Sequence, residues 1–423
     1  MYIYLKGGKV INIPKNILIE NDRIKKVSNE DISDLPNGTK IVDCTGLIIF
    51  PGVVDVHVHF REPGNEDKAD MESESKAALR GGVTTVCDMP NNTPSITTTT
   101  LFLDKIELAK KRMNCNFKLF FGITNDNIDE AIQLNSEYLA GLKLFLGSST
   151  GNMLVNSANA IDKLFKKTDK IIVAHCEDEN MIFANKIKYE HLSSLPCNVH
   201  CLIRDTDVCF ASSKFAVNIA KKYNTNLHIA HLTTAKEISL LSNECLDNKR
   251  ITSEVSPNHL YFCEKDYQHY GNLIKCNPSI KSFEDRQALR NALKEGYIDI
   301  VATDHAPHLW DEKQKDYFAA PSGIPSIQFS LLMMLEIASQ EGWDLQLIAD
   351  KMCKNPVKRF GIEGRGEVKE GYFADLTIIN PNRPTTVTKD MILSKCKWSP
   401  LINHTFKNSI EMTIINGEMM VYY

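Results

Sequence analysis

The sequence predicts an α/β protein, a (β/α)8 TIM barrel with a small composite β domain formed by the N- and C-terminal segments. Three observations predict this fold. Strand and helix candidates alternate through the middle of the chain, both ends of the chain are rich in β-forming residues, and polar side chains recur where the central strands end. The chain has 423 residues, enough for a barrel of about 250 residues and a smaller second domain.

Both ends of the chain have the composition of short strands. The N-terminal candidates are Ile3 to Leu5, Lys9 to Ile13, Ile17 to Glu20 and Arg23 to Val27, and the C-terminal candidates are Ala374 to Ile379, Glu411 to Ile415 and Met419 to Tyr423. Asn416-Gly417 between the last two runs is a strong hairpin signal. We therefore expect residues 1–52 and 357–423 to form one composite β-sandwich domain, and residues 53–356 to form the barrel.

The middle of the chain alternates strands with helices. The strand candidates are Val53 to Val58, Val83 to Asp88, Phe117 to Phe121, Leu142 to Leu146, Ile171 to His175, Leu227 to His231, Ile251 to Val255 and Ile298 to Thr303. The clearest helical segments are Glu72 to Arg80, Leu101 to Lys111, Ser212 to Lys222 and Phe283 to Lys294. A doubly wound sheet alternates in the same way, but its glycine fingerprint and the phosphate-binding loop are both absent from the sequence, which favours a barrel.

Bulk composition argues against several classes of protein. The net charge of −4 is unlike that of a basic nucleic-acid-binding protein. No apolar run approaches the roughly 18 residues of a membrane helix, and Met1 to Val10 lacks a signal pattern. The 12 cysteines are scattered singly, which is typical of reduced thiols. We expect a cytoplasmic protein that binds neither nucleic acid nor membrane.

Two histidines stand one strand step apart in Asp55-Val56-His57-Val58-His59. A strand has a period of two, so Asp55, His57 and His59 are predicted on one face and the valines on the other. Two imidazoles on one face can chelate a single metal ion. The alternative is a pair of polar residues on a solvated strand, but the apolar neighbours indicate a buried strand, where histidines need partners.

Four further polar side chains belong to later strands. His175, His231 and Asp304 each follow an apolar run, and Lys143 lies inside the apolar run of residues 141–146. The C-terminal ends of barrel strands converge on one face, so these side chains can meet there. Taken singly, each histidine has a structural alternative and Asp304 is a candidate helix cap. Together with the first histidine pair, they favour a metal site.

Lys143 has apolar neighbours on both sides. An ammonium group would be costly to bury there, and a desolvated lysine loses its proton more easily. Such an amine can react with carbon dioxide to give a carbamate, an anionic oxygen ligand able to bridge two metal ions. The alternative is an amine paired with a carboxylate.

These residues resemble those of the dihydroorotases, class I-like cyclic amidohydrolases of the amidohydrolase superfamily. The resemblance is collinear over nearly the whole chain, and its specific segments are Asp55 to Gly64, Asp88 to Thr93, the Lys143 strand, Lys275 to Pro278, and Ala302 to His308 with Lys313. One departure is visible, because Asn258 stands beside His259 where relatives often have two histidines.

The resemblance implies a two-zinc centre beside a carboxylate-binding pocket. The implied metal ligands are His57, His59, Lys143 as N6-carboxylysine, His175, His231 and Asp304. The implied substrate contacts are Arg61, Asn91 and His308 for a carboxylate, and Asn277, Ser322 and Gly323 for a pyrimidine ring. Arg61 suits its role chemically, because a guanidinium group offers planar, bidentate donors.

The activity that the resemblance implies is the reversible hydrolysis of (S)-dihydroorotate to N-carbamoyl-L-aspartate, a step of de novo pyrimidine (UMP) biosynthesis. A hydroxide held by the two zinc ions would attack the ring carbonyl, with Asp304 as general acid and base. The partner is therefore a small molecule, and since barrel hydrolases often pair, a homodimer is the assembly to test. The loop Gly147-Ser148-Ser149-Thr150-Gly151 is typical of a mobile lid or of a plain solvent loop.

Two other functions stay open. A hydantoinase, dihydropyrimidinase or allantoinase would share the barrel and the metal ligands, but would not need the cationic Arg61 or His308, because most of their substrates carry no ring carboxylate. A non-catalytic relative, serving for example as a partner of aspartate carbamoyltransferase, would typically have lost metal ligands. All six ligand positions are filled in this sequence.

Overall fold

Strands from both ends of the chain form one sheet, the strands between them form a second, and two short strands near the C-terminus pair with each other as a third. The computed structural model describes residues 1–147, 153–192 and 195–422. The strands are β1 (Tyr2–Val10), β2 (Ile13–Glu20), β3 (Arg23–Ser28), β4 (Lys40–Asp43), β5 (Ile48–Pro51), β6 (Val53–Val58), β7 (Val83–Asp88), β8 (Asn116–Gly122), β9 (Leu139–Phe145), β10 (Ile172–His175), β11 (Leu227–Ile229), β12 (Ile251–Val255), β13 (Ile300–Val301), β14 (Leu376–Asn380), β15 (Thr385–Thr386), β16 (Thr405–Phe406), β17 (Ser409–Ile415) and β18 (Glu418–Val421).

Helices cover most of the connections between the central strands. The α-helices are α1 (Met71–Arg80), α2 (Thr99–Arg112), α3 (Ile128–Gln133), α4 (Ala158–Lys167), α5 (Glu179–Ile187), α6 (His200–Ile203), α7 (Thr206–Tyr223), α8 (Ala235–Ile238), α9 (Pro257–Tyr261), α10 (Tyr267–Tyr270), α11 (Phe283–Glu295), α12 (Trp310–Lys313), α13 (Ser330–Glu341), α14 (Leu345–Ala349) and α15 (Asn355–Arg359). Short 3-10 helices lie at Cys197–Val199, Leu246–Asn248, Glu264–Asp266, Gly271–Ile274, Ile327–Phe329 and Lys389–Met391, and a π-helical turn lies at Asp350–Lys354.

The eight strands β6 to β13 pair in chain order and are all parallel. The sheet closes on itself where Val58 pairs with His305, and the amide nitrogen of His59 donates to the carbonyl oxygen of His305 at 2.8 Å. Strands β6 and β7 are buried along their whole length, as expected where helices cover one face and packed side chains the other. The predicted (β/α)8 barrel is therefore confirmed.

Local sequence explains where the outer helices begin and end. In α11, the Ser282 side chain accepts a hydrogen bond from the amide of Asp285, and the helix ends at Gly296 with φ +87°. A serine cap and a left-handed glycine are preferred at these two positions, and Ser282→Ala is expected to cost about 1 kcal/mol. Helix α1 begins in the same way, with Asp70 accepting from the amide of Ser73. These helices are thus placed by their own sequences as well as by packing.

Two barrel strands are shorter than predicted by two residues or more. Strand β11 ends before His231 and β13 covers only Ile300–Val301, because His231 (φ +34°) and Asp304 (φ +50°) both turn into the left-handed region. The amide of Thr303 donates to a carboxylate oxygen of Asp55 at 3.0 Å instead of to a ladder partner. These turns aim the side chains at the strand ends toward the mouth of the barrel.

Strand β6 does not alternate as regularly as the sequence predicts. Its register with β7 shifts between Asp55 and Val58. As a result, Val54 and Val56 pack in one hydrophobic cluster with Phe120, whereas Val58 belongs to another. A bulge of this kind re-aims side chains next to it, here at the first predicted metal ligands.

The second sheet has the order β18-β17-β14-β5-β1-β2-β3, and β4 pairs with β1 beside β5. Strand β5 lies between β1 on one side and β14 on the other, so both ends of the chain contribute to its core. Ile3, Ile17, Ile49 and Ile414 are fully buried in that core. The predicted β domain built from both ends of the chain is present. Its exact boundaries, at residues 52 and 357, stay a prediction.

No helix within the described ranges is long and apolar enough to cross a membrane. The 12 cysteines are free thiols, as the scattered spacing predicts. The cytoplasmic location and the homodimer stay predictions.

Candidate active site

One cavity of about 330 Å³ opens at the C-terminal ends of the barrel strands. The site residues predicted from the sequence all line it: His57, His59, Arg61, Asn91, Lys143, His175, His231, Asn277, Asp304, His308, Ser322 and Gly323. The structure therefore brings together residues from almost every strand end of the barrel, as the topology requires. Their roles as ligands or substrate contacts stay predictions. Within the predicted lid, Ser148 to Gly151 lie outside the described residues.

His57, His59 and Asp304 form one compact group in this cavity. One Asp304 carboxylate oxygen, Oδ1, lies 3.0 Å from Nε2 of His59 and 3.3 Å from Nε2 of His57. The possible ligand atoms of the three residues all lie within 4.8 Å of one another. Two imidazole nitrogens and a carboxylate oxygen at this spacing are a donor set that suits zinc and similar divalent ions.

A second group lies beside the first. Nδ1 of His175 is 2.9 Å from Nε2 of His231, and Lys143 lies in the neighbouring strand. Among the described residues, the Lys143 amine and Nδ1 of His231 have no hydrogen-bond partner, although both side chains are buried. Buried polar atoms without partners are uncommon and need an explanation. Together with the donor set, they fit a site completed by bound metal ions.

Lys143 is only 1% exposed, and its amine lies 5.0 Å from the centre of the Phe145 ring. Burial lowers the pKa of this amine to about 8, against the opposing pull of the Glu254 and Asp304 carboxylates. The alternative of an amine paired with a carboxylate is not what the described residues show. A neutral amine is accessible near physiological pH, and this is the form that reacts with carbon dioxide.

Two buried carboxylates behind the histidines were not predicted as site residues. Glu254 contacts Nδ1 of His57, and Glu177 lies 3.0 Å from Nε2 of His175 while also pairing with Arg204. Burial opposes ionisation of Glu254, but its interactions with His57 and His228 outweigh this and hold the pKa well below its usual range. Both carboxylates therefore orient imidazole rings. The signal in the sequence was a lone acidic residue inside or just after an apolar strand.

A cationic corner lies at the outer part of the cavity. Arg61, at φ +67°, donates through Nε to the carbonyl oxygen of Pro307 at 3.1 Å, and its Nη2 lies 3.2 Å from Nε2 of His308. Burial, and then the charges of Arg61 and nearby lysines, hold the pKa of His308 far below its usual range, so the imidazole is neutral. A guanidinium beside a neutral imidazole can bind an anionic group with charge-assisted hydrogen bonds.

Asn91 lies in the cavity next to one of the candidate metal ligands. Its amide oxygen lies 2.7 Å from Nδ1 of His59, so Asn91 orients that ring as well as lining the cavity. The sequence predicted only the substrate contact.

The remaining predicted residues, Asn277, Ser322 and Gly323, form a wall of the cavity next to His308. Gly323 has φ +152°, and a Cβ there would approach the carbonyl oxygen of Ala306 to 2.3 Å, so a side chain cannot be added without moving the backbone. The amide oxygen of Asn277 lies 3.1 Å from Nε2 of the buried His200, a contact that the sequence did not predict. A buried histidine therefore helps to fix the position of Asn277 in this wall.

The chain belongs to the amidohydrolase family, whose sequence profile matches residues 48–420. Two similar curated proteins are dihydroorotases. That of Methanosarcina mazei is 32% identical over 96% of this chain and 90% of its own length. That of Bacillus subtilis is 32% identical over 95% of this chain and 94% of its own length. These relatives, the family and the site make the protein a cyclic amide hydrolase.

Solved structures support the fold. The L-hydantoinase of Arthrobacter aurescens superposes with a TM-score of 0.93 over 100% of this chain and 98% of its own, at 24% identity. A D-hydantoinase superposes with a TM-score of 0.90 at 20% identity, over 100% of this chain and 95% of its own. At identities this low, the superpositions show that the architecture is shared and no more.

Proposed function

We propose that the protein is a dihydroorotase that hydrolyses (S)-dihydroorotate to N-carbamoyl-L-aspartate and also closes the ring in the reverse, biosynthetic direction. One observation carries the proposal. Arg61 and His308 form a cationic corner in the same cavity as the candidate metal ligands. A cyclic amide that carries a carboxylate is the substrate that needs both features. The names of the curated relatives support the same choice.

The candidate ligands fit a metal centre by their donor chemistry and by the buried atoms that lack partners. We propose that two divalent ions, zinc in the first place, are held by His57, His59, His175, His231, Asp304 and the carbamate of Lys143. When bound, such ions supply Lewis-acid polarisation of a carbonyl group and lower the pKa of water toward about 7.

Asp304 is the residue that we assign to proton transfer. Burial opposes its ionisation, but the charges and hydrogen bonds of His57 and His59 outweigh this and hold the pKa of its carboxyl far below the usual range. It is therefore an ionised base at neutral pH. In the forward reaction Asp304 accepts the proton of the attacking water and delivers it to the amide nitrogen that leaves the ring carbonyl.

The substrate is bound and oriented by the other residues of the cavity. Arg61 and His308 bind the ring carboxylate, and the wall of Asn277, Ser322 and Gly323 lies against the ring. A carboxylate held at a fixed corner places one ring amide next to Asp304. Such orientation is itself a large contribution to the rate.

The main competing function is hydrolysis of a cyclic amide without a carboxylate, as in hydantoinases, dihydropyrimidinases and allantoinases. The shared fold does not separate these activities, whereas Arg61 favours a substrate that carries a carboxylate. For such substrates the half-buried guanidinium at the cavity wall would lack an anionic partner and would weaken binding.

The test is a comparison of substrates with the zinc-loaded protein. We expect kcat/KM for (S)-dihydroorotate to exceed those for hydantoin, dihydrouracil and allantoin, and N-carbamoyl-L-aspartate to be cyclised in the reverse assay. Asp304→Asn is the control for background hydrolysis. Faster turnover of hydantoin or allantoin than of dihydroorotate would overturn the proposal.

A further inference from the structure

A buried lysine without a carboxylate partner lies beneath the outer wall of the cavity. Lys313 is 1% exposed, and its ammonium nitrogen Nζ donates to three carbonyl oxygens: those of Lys275 at 3.1 Å, Pro321 at 2.9 Å and Gly323 at 3.0 Å. No ion pair to Lys313 occurs in the described part of the chain. An ammonium group has three protons, so all of its donors are used by backbone.

A second lysine repeats the arrangement next to the first. Nζ of Lys275, which is 6% exposed, donates to the carbonyl oxygens of Tyr317 at 2.5 Å and Ala320 at 2.6 Å, and lies 4.3 Å from the centre of the Tyr317 ring. The amide of Gly323 returns a hydrogen bond to the carbonyl oxygen of Lys275 at 2.8 Å. Four carbonyl oxygens of residues 317–323 thus accept hydrogen bonds from the two lysine side chains.

This segment carries part of the substrate wall. The carbonyl oxygen of Ser322 lies 3.1 Å from Nε2 of His308, and Gly323 packs tightly against Ala306. A displacement of the segment would therefore move the ring-binding wall and the imidazole of the cationic corner together. The charge of Lys313 also acts on His308, where it helps to keep the imidazole neutral.

Holding a loop does not by itself require buried charge. An apolar or neutral side chain would avoid the cost of desolvating an ammonium group. Burial lowers the pKa of Lys313 to about 7 and that of Lys275 to about 8, which reflects this cost. In their ammonium form, the two lysines add a set of directed bonds to five carbonyl oxygens and a positive field behind the cavity.

We propose that Lys313 and Lys275 are positioning residues that clamp residues 320–323 against His308, so that the wall and the cationic corner are preformed for a cyclic ligand with a carboxylate. This inference rests on the proposed function for the identity of the ligand. The clamp itself is a property of the protein without substrate.

The test compares Lys313→Met with Lys351→Met. Lys351 is a matched control, because it is also buried and donates to a single backbone carbonyl, that of Ile298, which precedes β13 and so lies at the opposite end of the barrel. We expect Lys313→Met to raise KM for dihydroorotate by about 10-fold or more while kcat falls by less than about threefold, because binding geometry is lost and the reacting groups stay in place. Lys351→Met is expected to leave both constants unchanged.

Amide hydrogen exchange gives a second readout that needs no substrate. In Lys313→Met, peptides covering residues 318–326 are expected to exchange faster, and in Lys351→Met they are expected to exchange as in the wild type. If Lys313→Met fails to fold, Lys275→Met is used with the same expectations, since it removes two of the five bonds.

The outcomes separate the two proposals. Unchanged exchange in this segment, or equal KM values for the two variants, overturns the clamp. A zinc-loaded wild-type protein that does not turn over dihydroorotate overturns the proposed function, and the exchange comparison then still decides the clamp.

Discussion

Glu254 and His57 are joined by a hydrogen bond from Nδ1 of the imidazole to a buried carboxylate oxygen. The other Glu254 oxygen lies 3.2 Å from Nε2 of His228, whose Nδ1 in turn lies 2.8 Å from the hydroxyl of Thr252. Because Nδ1 of His57 carries its proton toward Glu254, the lone pair on Nε2 faces Asp304 and the cavity. This is the tautomer that a metal ligand needs.

Glu254→Gln is therefore expected to weaken metal binding. The amide oxygen can still accept from His57, but without the negative charge the imidazole becomes a poorer donor to the metal. We expect zinc affinity to fall by about 10- to 100-fold, as measured by competition with a chromogenic chelator. Glu237→Gln changes a carboxylate that is also buried but contacts Ser213 and Thr234, and serves as the control. Wild-type affinity in Glu254→Gln would contradict the assigned role of this residue.

Carboxylation of Lys143 can be detected directly. When the metal-free protein is incubated with zinc and ¹³C-bicarbonate, a carbamate carbon resonance is expected in the NMR spectrum of the wild type. It should be absent from Lys143→Gln and present in Lys351→Met, because the latter lysine is buried away from the cavity. A zinc-loaded, active wild type without that resonance would show that the lysine acts as an unmodified amine.

Arg61 is expected to select the substrate. We expect Arg61→Gln to lower kcat/KM for dihydroorotate by about 100-fold, since a hydrogen-bonded charge pair contributes about 1.5–3 kcal/mol. For a cyclic amide without a carboxylate that the wild type also hydrolyses, the change should stay within about threefold. Arg383→Gln, on an exposed arginine paired with Glu411, controls for loss of charge. An equal loss of kcat/KM for both substrates would mean that Arg61 does not bind the carboxylate.

Lys351, which lies away from the cavity, is expected to make the free energy of unfolding depend on pH. Burial lowers the pKa of its amine from the ordinary 10.5 to about 8. Between these values the unfolded chain binds more protons at this site than the folded protein, so the contribution of Lys351 to stability rises with pH. It is fully present above pH 10.5 and lost as the pH falls through about 8.

The check is urea denaturation of the wild type and Lys351→Met at about pH 7 and about pH 10. The wild type should gain on the order of 2 kcal/mol relative to the variant over this range. A difference between the two proteins that does not change with pH would show that the amine is not desolvated.

Sequence patterns predicted the polar residues that meet at the strand ends, because barrel topology brings every C-terminal strand end to one face. His57, His175 and Asp304 could therefore be assigned to one site before their distances were known. Glu254 was missed for the opposite reason. Its partner His57 is 197 positions away in the sequence, and only the closure of the barrel makes them neighbours. Lys313 was noticed only as part of a motif, since its partners are backbone carbonyls, which no side-chain pattern encodes.

Strand lengths were predicted less well than strand positions. Thr303 was included in the last predicted barrel strand, but in the structure its amide and hydroxyl bond to Asp55. Bonds from a side chain compete with the ladder at such positions. The shift in β6 between Asp55 and Val58 was also invisible to a strict period of two.

The position of β5 in the sheet affects how the chain folds during its synthesis. Its partner β14 follows the whole barrel in the sequence, so during synthesis the barrel strands can pair before the terminal sheet is complete. Until β14 emerges, β5 presents an open edge of unpaired backbone groups beside the apolar residues of β1. Open edges of this kind recruit other chains. A chain interrupted after the barrel would thus retain its strand-end residues and still be lost to aggregation.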